Sequence, residues 1–196
     1  VFAAHKIGAV PVMVNPMARR YELERYVEIV QPSLAVMRSE NFEHFDLARE
    51  RFGSSIHLLF VDRGDSLREV YSQNIDDMQI DQWAEVGDEH PAVIIFTSAD
   101  DGVPGGAMIT HRGIIETARL SGQFLIEETD VFLAALPLFH AFGLTTSLFL
   151  PLYNFCKVVL FDKFSVKKVS SILMNGEATI FCGVPIMFEV LARVLK

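Results

Sequence analysis

Residues 96–112 read FTSADDGVPGGAMITHR and are the most informative stretch of the chain. An apolar run ending at Thr97-Ser98 leads into a short loop with three glycines and then into a β-like run at 107–110. Glycines let the backbone approach a ligand closely, successive N–H groups can converge on phosphate oxygens, and hydroxyls add donors. The stretch therefore predicts an anion cradle between two strands. Glycine content alone favours a plainer interpretation, a polar hairpin with ordinary turn glycines.

Strand-like and helix-like runs alternate on both sides of this loop. Repeated βα units predict an α/β fold with a mostly parallel sheet. The predicted strands cover 10–14, 34–37, 56–61, 92–97, 107–110, 131–136, 157–161 and 178–182. The predicted helices cover 23–30, 42–52, 66–71, 111–124, 145–153, 166–174 and 185–196, and Gly53 is expected to close the second of them.

The domain organisation follows from an acidic, weakly periodic stretch at 62–89. We interpret it as a surface connection between a first αβ portion, 1–61, and a second one, 90–196, which contains the loop. The chain begins with Val1 and an apolar, helix-like run, with no initiating Met and no signal peptide. We therefore expect an internal piece of a longer protein.

Composition limits the function classes. A net charge of −8 with no basic run argues against nucleic-acid binding, which needs clustered cations. Two cysteines make neither a disulfide framework nor a metal set, which favours reduced thiols in the cytoplasm. Residues 131–155 carry no charge and are long enough to span a bilayer, but Pro137, Gly143 and Pro151 interrupt them. A buried strand, loop and helix fit better, and peripheral membrane association stays open.

The loop resembles the signature of adenylate-forming enzymes, (Y/F)-T-S-G-(T/S)-T-G-x-P-K-G-(V/A)-x-x-(S/T)-H. The matching residues are Phe96, Thr97, Ser98, Gly102, Pro104, Gly106, Ala107, Thr110 and His111. Three further segments resemble the same family in the same order: AAHKIGAVPVMVNP at 3–16, PLFHAFGL at 137–144, and GVP at 183–185 before a helix. The resemblance implies layered αβ sheets with flanking helices, part of the large N-terminal domain of an acyl-CoA-synthetase-like fold.

The resemblance also implies an activity. Such enzymes join a carboxylic acid to ATP, with Mg²⁺, and pass the acyl group of the acyl-adenylate to coenzyme A or a carrier protein. The 16 phenylalanines favour an apolar acid, with a fatty acid preferred over an aromatic one. The residues implied around the nucleotide phosphates are Thr97, Ser98, Ala99, Asp100, Asp101, Gly102, Gly105 and Gly106.

A second set of residues is implied at the acyl and adenylate pocket. His140 would lie beside the reacting groups as the catalytic residue. The implied pocket residues are Phe139, Phe142, Gly143, Gly183, Val184 and Pro185. Without the motif, the preferred interpretation of His140 would be a buried, hydrogen-bonded histidine. His111 is expected to cap or pack after the loop rather than contact ligand.

The loop departs from the signature where ligand chemistry matters. Ala99 replaces a glycine, Asp100 and Asp101 replace hydroxyl residues, and Gly105 replaces the lysine. A carboxylate roughly 4 Å from a phosphate charge costs about 1 kcal/mol in water and about 4 kcal/mol at an effective dielectric near 20. These changes favour a second hypothesis, a degenerate relative that binds an acyl chain or a partner protein without ATP chemistry. A third hypothesis is a structural α/β domain. Because an adenine motif and a C-terminal lysine are missing, the 196 residues alone are not expected to complete adenylation.

Overall fold

The computed structural model describes residues 1–52, 55–62, 83–97, 104–123, 126–161 and 163–195. The strands are β1 Val12–Met13, β2 Leu34–Met37, β3 His57–Phe60, β4 Pro91–Thr97, β5 Gly105–Thr110, β6 Val131–Ala134, β7 Lys157–Leu160 and β8 Ile180–Phe181. The helices are α1 Phe2–Lys6, α2 Arg20–Val30, α3 Phe42–Phe52, α4 His111–Gly122, α5 Ala141–Leu144, α6 Leu150–Tyr153, α7 Val166–Met174 and α8 Pro185–Val194. A 3-10 turn, Ser39–Asn41, precedes α3, and a π-helical turn, Thr145–Phe149, joins α5 to α6.

The strands form three small sheets, with orders β1-β4-β5, β2-β3 and β7-β6-β8. The pairs β1–β4, β2–β3, β6–β7 and β6–β8 are all parallel. Parallel strands covered on both faces read as continuous apolar runs, and β4 follows this rule with Ala92, Val93 and Ile95 buried. The predicted α/β architecture with mostly parallel pairing is confirmed.

The described residues divide into two compact units. The first comprises those of Val1–Ala9, Val14–Glu85 and Phe96–Ala107. Its core is built by one face of α2, where Leu23 and Tyr26 pack with Ala18 and Ala48. Helix α2 ends at Val30 because Gln31 adopts a left-handed conformation, φ 45°, and Pro32 follows. Leu23, Tyr26 and Val27, at the i, i+3 and i+4 spacing of one helix face, are all buried.

The second unit comprises Val10–Met13, Val86–Ile95 and the described residues of Met108–Lys196. Its core lies around β6, whose Leu133 packs with Val169 of α7 and Leu191 of α8. On α7, the Ser165 hydroxyl accepts from Lys168 N, and this bond caps the first turn. Unlike the sequence portion 90–196, this unit excludes Phe96–Ala107.

One predicted helix begins too late. Helical structure starts at Ala141, four residues before the predicted 145, and runs over Gly143 and Pro151. The π-helical turn ends at Phe149, two residues before Pro151, whose ring nitrogen has no hydrogen to donate. The predicted helix at 66–71 and the closing Gly53 lie outside the described residues. Of the helices described here, none is long and apolar enough to cross a membrane.

Candidate functional site

The ends of the β4–β5 loop belong to the first compact unit. Phe96 stacks on Tyr26 of α2, with ring centroids 3.9 Å apart and planes 24° from parallel. Thr97 Oγ1 donates to the carbonyl of Gly105 at 3.4 Å, across the base of the loop. Pro104 is buried just before β5. The flanks of the loop are therefore held by stacking, burial and one hydrogen bond.

Position 105 shows what the loop backbone can accommodate. A Cβ built on Gly105 would have one neighbour within 4 Å, Thr97 Oγ1 at 4.0 Å. A Cβ at this position therefore meets no clash with the described residues. Gly106 is exposed beside it. The other predicted phosphate-site residues lie outside the described residues: Ser98, Ala99, Asp100, Asp101 and Gly102.

His140 lies in the second compact unit, where the chain turns from β6 into α5. Its backbone N–H donates to the carbonyl of Pro137 at 3.2 Å, and its own carbonyl accepts from Leu144 N at 2.8 Å. The imidazole is exposed and lies against the Phe139 ring, with centroids 4.5 Å apart. The alternative of a buried core histidine therefore does not describe His140 in this structure.

Gly143 is required by a close backbone approach. A Cβ at this position would lie 2.2 Å from the Pro137 carbonyl oxygen, far inside any real contact. The first turn of α5 can rest on the Pro137 peptide only because residue 143 has no side chain. The same carbonyl accepts the His140 N–H, so one peptide group fixes the start of the helix.

The GVP stretch lies close to the helix that follows His140. Cys182, which directly precedes Gly183, lies beside Thr146 of the π-helical turn. Burial raises the pKa of the Cys182 thiol, and the neighbouring Thr146 side chain acts in the opposite direction. Thr146 Oγ1 donates to the carbonyl of Phe142 at 2.7 Å. Residues next to two of the predicted pocket segments, 137–144 and 183–185, thus lie close together.

Gly183 makes room for a pair of aromatic rings. Its built Cβ would lie 3.0 Å from the Phe181 ring and 3.2 Å from the Phe188 ring, which pack at 5.2 Å between centroids. Val184 is the N-cap residue of α8, and Pro185 occupies the first turn, where its missing N–H costs nothing. Phe142, Val184 and Pro185 are exposed, so this part of the predicted pocket presents an open, mainly apolar surface.

The residue after the loop that caps α4 is Thr110, not His111. Thr110 Oγ1 accepts from Gly113 N at 3.1 Å. His111 packs instead, with its ring nearly parallel to that of His90 at 6.4 Å. His111 therefore packs after the loop, as predicted, and does not cap the helix.

Sequence patterns missed Thr146 and Cys182. Neither residue belongs to a quoted motif, and 35 residues separate them, so nothing local signals that they meet. Their positions were still informative, since one follows PLFHAFGL and the other precedes GVP. Among the described residues, no group of three or more His, Cys, Asp or Glu side chains is arranged to hold a metal ion.

The fold is that of the N-terminal domain of adenylate-forming enzymes. The structure matches that of a long-chain-fatty-acid–CoA ligase from Archaeoglobus fulgidus with a TM-score of 0.84 and 25% identity. That alignment covers 99% of this chain and 38% of the ligase. The predicted acyl-CoA-synthetase-like fold is therefore confirmed.

The chain belongs to the AMP-binding enzyme family, whose sequence model matches residues 1–196. It is 25% identical to 4-coumarate–CoA ligase 3 of Arabidopsis thaliana over 97% of this chain and 35% of that protein. It is 28% identical to the malonate–CoA ligase of the same plant, over 88% of this chain and 31% of that protein. The chain thus spans about a third of the length of these curated relatives.

Proposed function

We propose that the protein to which this chain belongs is an acid–thiol ligase that activates a carboxylic acid with ATP and transfers the acyl group to coenzyme A. The observation that carries the proposal is the match of the AMP-binding enzyme family model to residues 1–196. The four motif segments, which resemble that family in the same order, support the same conclusion.

The proposed reaction has two balanced steps. A carboxylate oxygen of the acid attacks the α-phosphorus of ATP, and the bond to pyrophosphate breaks. The sulfur of coenzyme A then attacks the acyl carbon, its proton is released, and AMP leaves with the electrons of the broken C–O bond. We propose that His140 lies beside this centre and that its imidazole donates a hydrogen bond to an acyl or phosphate oxygen.

The remaining predicted residues are proposed as binding groups. Phe139, Phe142 and Gly143 shape one wall of the acyl and adenylate pocket, and residues 183–185 shape another. The loop from Thr97 to Gly106 is the proposed site of the β- and γ-phosphates, with Mg²⁺ arriving on the nucleotide. Gly105 supplies no countercharge at the position where the family signature has a lysine.

We propose a fatty acid as the substrate. The exposed apolar groups around Phe142, Val184 and Ile186 suit an apolar chain. The names of the relatives point to different acids: 4-coumarate, malonate and long-chain fatty acids. The test of the reaction therefore compares fatty, aromatic and dicarboxylic acids as substrates.

The test is pyrophosphate release by the full-length protein with ATP, Mg²⁺ and a panel of fatty, aromatic and dicarboxylic acids. We expect release with at least one acid and its loss in His140→Ala. His44→Ala is the matched control, since His44 is exposed on α3. If no acid in the panel supports release, or if His140→Ala is as active as His44→Ala, the proposed reaction or the proposed role of His140 is wrong.

The second candidate is a degenerate relative that binds an acyl chain or a partner protein without ATP chemistry. The loop sequence favours it, because Asp100, Asp101 and Gly105 replace two hydroxyls and a lysine. The test restores the family residues, and a Cβ at position 105 meets no clash with the described residues. Gain of ATP binding in the variant with Asp100→Thr, Asp101→Thr and Gly105→Lys would indicate that only the loop charges are altered. Failure to bind would show that the loss of chemistry extends beyond them.

A further inference from the structure

The π-helical turn between α5 and α6 has a local cause in Pro151. This residue is fully buried in the first turn of α6. In a regular helix running through this point, its ring would collide with the carbonyl of Ser147, and that carbonyl would have no N–H donor. The chain winds more widely before the proline instead, and the Leu150 N–H donates to the carbonyl of Thr145, five residues earlier. Pro151 therefore explains the wide turn.

The buried hydroxyl of Ser147 shows that this turn is unfavourable by itself. Thr146 Oγ1 donates to the carbonyl of Phe142, four residues earlier, at 2.7 Å, as hydroxyls in regular helices do. Ser147 is only 1% exposed, and its Oγ has no hydrogen-bond partner in the part of the chain that the structure describes. A buried hydroxyl without a partner destabilises a fold. Such an arrangement persists only where the surrounding contacts enforce it.

The enforcing contact lies at the other end of the segment, in α5. Gly143 rests on the Pro137 peptide, where a Cβ would lie 2.2 Å from the carbonyl oxygen. With regular winding back from α6, helix α5 would be rotated about its axis. Phe142 or Leu144 would then face that peptide, and each carries a Cβ for which there is no room. The wide turn therefore brings Gly143 to Pro137.

From these contacts we propose that Pro151 is a positioning residue for His140. Pro151 sets the winding before α6, and the winding brings Gly143 onto the Pro137 peptide. The same peptide accepts the His140 N–H at 3.2 Å. The proposal rests on the proposed function, because His140 is the group assigned to the reacting centre. It adds to that function a residue outside the four motif segments of the family resemblance.

The first experiment is a double-mutant cycle on pyrophosphate release by the full-length protein with ATP, Mg²⁺ and an acid that it uses. We expect Pro151→Ala to lower kcat roughly 10- to 100-fold, the effect of moving a group at a reacting centre by up to about 1 Å, without changing KM for ATP. In the Gly143→Ala background, where the Pro137 contact is already disrupted, Pro151→Ala should lower kcat by no more than about twofold. Pro32→Ala, between α2 and β2, is the matched control and should leave kcat unchanged.

The second experiment tests the winding without using the reaction. Ser147→Ala should raise the urea midpoint, because it removes the unpaired hydroxyl. In the Pro151→Ala background the helix can wind regularly and Ser147 Oγ can donate to the Gly143 carbonyl, so the same substitution should no longer raise the midpoint. Ser170→Ala is the matched control. Ser170 is buried in α7 and its Oγ donates to the Lys167 carbonyl at 3.2 Å, so its effect should be equal in both backgrounds.

A second variant guards against loss of the fold. If Pro151→Ala does not fold, Pro151→Val takes its place in both cycles, because valine supplies the N–H and fills more of the buried volume. Ser147→Ala in the wild-type background removes a single oxygen atom and tests the strain in the turn in either case.

Three results would overturn the proposal. One is a wild-type kcat in Pro151→Ala. Another is a rate loss from Pro151→Ala that is just as large in the Gly143→Ala background, which would show that the two residues act independently. The third is a urea midpoint that Ser147→Ala raises equally in both backgrounds, or does not raise in the wild type.

Failure of the proposed reaction gives a different result. If the wild type releases no pyrophosphate with any acid, the proposed reaction is wrong and the role of Pro151 in it is wrong as well. Any of the three results above, obtained with an active wild type, overturns the role of Pro151 alone.

Discussion

Replacing Gly143 with alanine perturbs the contact that fixes the start of α5. The added Cβ would lie 2.2 Å from the carbonyl oxygen of Pro137 and 2.9 Å from its carbon. Ordinary van der Waals contact begins at 3.4 Å, so the first turn of α5 must retreat by about 1.2 Å. A peptide group cannot swing aside as the tip of a side chain can, so the main chain has to move.

That retreat has a cost in stability and, through His140, in rate. Overpacking a close contact destabilises a protein by about 1–3 kcal/mol. The 3.2 Å hydrogen bond from His140 N to Pro137 O shares the strained peptide and would lengthen. Misplacement of a group at a reacting centre by about 1 Å can reduce the rate roughly 100-fold. We expect both losses in Gly143→Ala.

Two assays measure these losses separately. Urea denaturation of the full-length protein, followed by circular dichroism, gives the change in the free energy of unfolding. Pyrophosphate release at saturating ATP, at a temperature where the variant stays folded, gives kcat. Gly87→Ala is the control, because nothing lies within 4 Å of its added Cβ.

The reasoning fails if Gly143→Ala unfolds at the same urea concentration as the wild type. It fails in its second part if the variant is destabilised but turns over acid and ATP at the wild-type rate. In that case the Pro137 contact holds the helix without positioning His140 for the reaction.

Three further predictions rest on other contacts. Phe155 has φ 58° and is 80% exposed. Phe155→Gly should therefore raise the free energy of unfolding by about 1 kcal/mol, because glycine adopts this conformation without strain, while Phe155→Leu should not. Equal urea midpoints for the wild type and both variants would contradict this prediction. The Thr179 hydroxyl and the Glu127 N–H both donate to Asp130 and lower the pKa of its carboxyl. The wild type should therefore be more stable than Thr179→Val at neutral pH, and this difference should shrink as the pH falls below about 4, because protonation removes the favoured carboxylate. A difference that is independent of pH from about 7 to about 3 would refute the prediction. Burial raises the pKa of Cys182, so its thiol should be alkylated by iodoacetamide at pH 8 more slowly than free cysteine; equal rates would show that the thiol is not protected.

Much of the fold could be predicted because its elements carry local signals. The strand at 34–37 and the helix at 166–174 were predicted with the bounds that the structure has, since apolar runs and turn residues mark their ends. The apolar stripe of α2 predicted its buried face for the same reason. Local periodicity is sufficient where one face of one element decides the structure.

The features that could not be predicted depend on distant or unusual contacts. Helix α5 starts at Ala141, and its first turn packs against the Pro137 peptide at Gly143. A glycine in the sequence predicts that a helix is interrupted at that position, so the sequence pattern pointed the other way. Phe155 adopts the left-handed conformation that closes α6, with Cys156 N donating to Pro151 O, although sequence patterns expect glycine there. A close backbone contact overrides the local preference at Gly143, and main-chain hydrogen bonds at the end of α6 accompany the unusual conformation of Phe155.

The family glycines and the altered loop position carry different information about function. Gly143 is demanded by a contact within this chain, so the fold requires it whether or not the protein is a catalyst. At Gly105 a Cβ would meet only Thr97 Oγ1, at 4.0 Å, among the described residues, so no such contact demands a glycine there. The residues at 100, 101 and 105 can therefore follow the chemistry of a ligand, and restoring the family residues at these three positions tests ATP binding without touching the contact that holds α5.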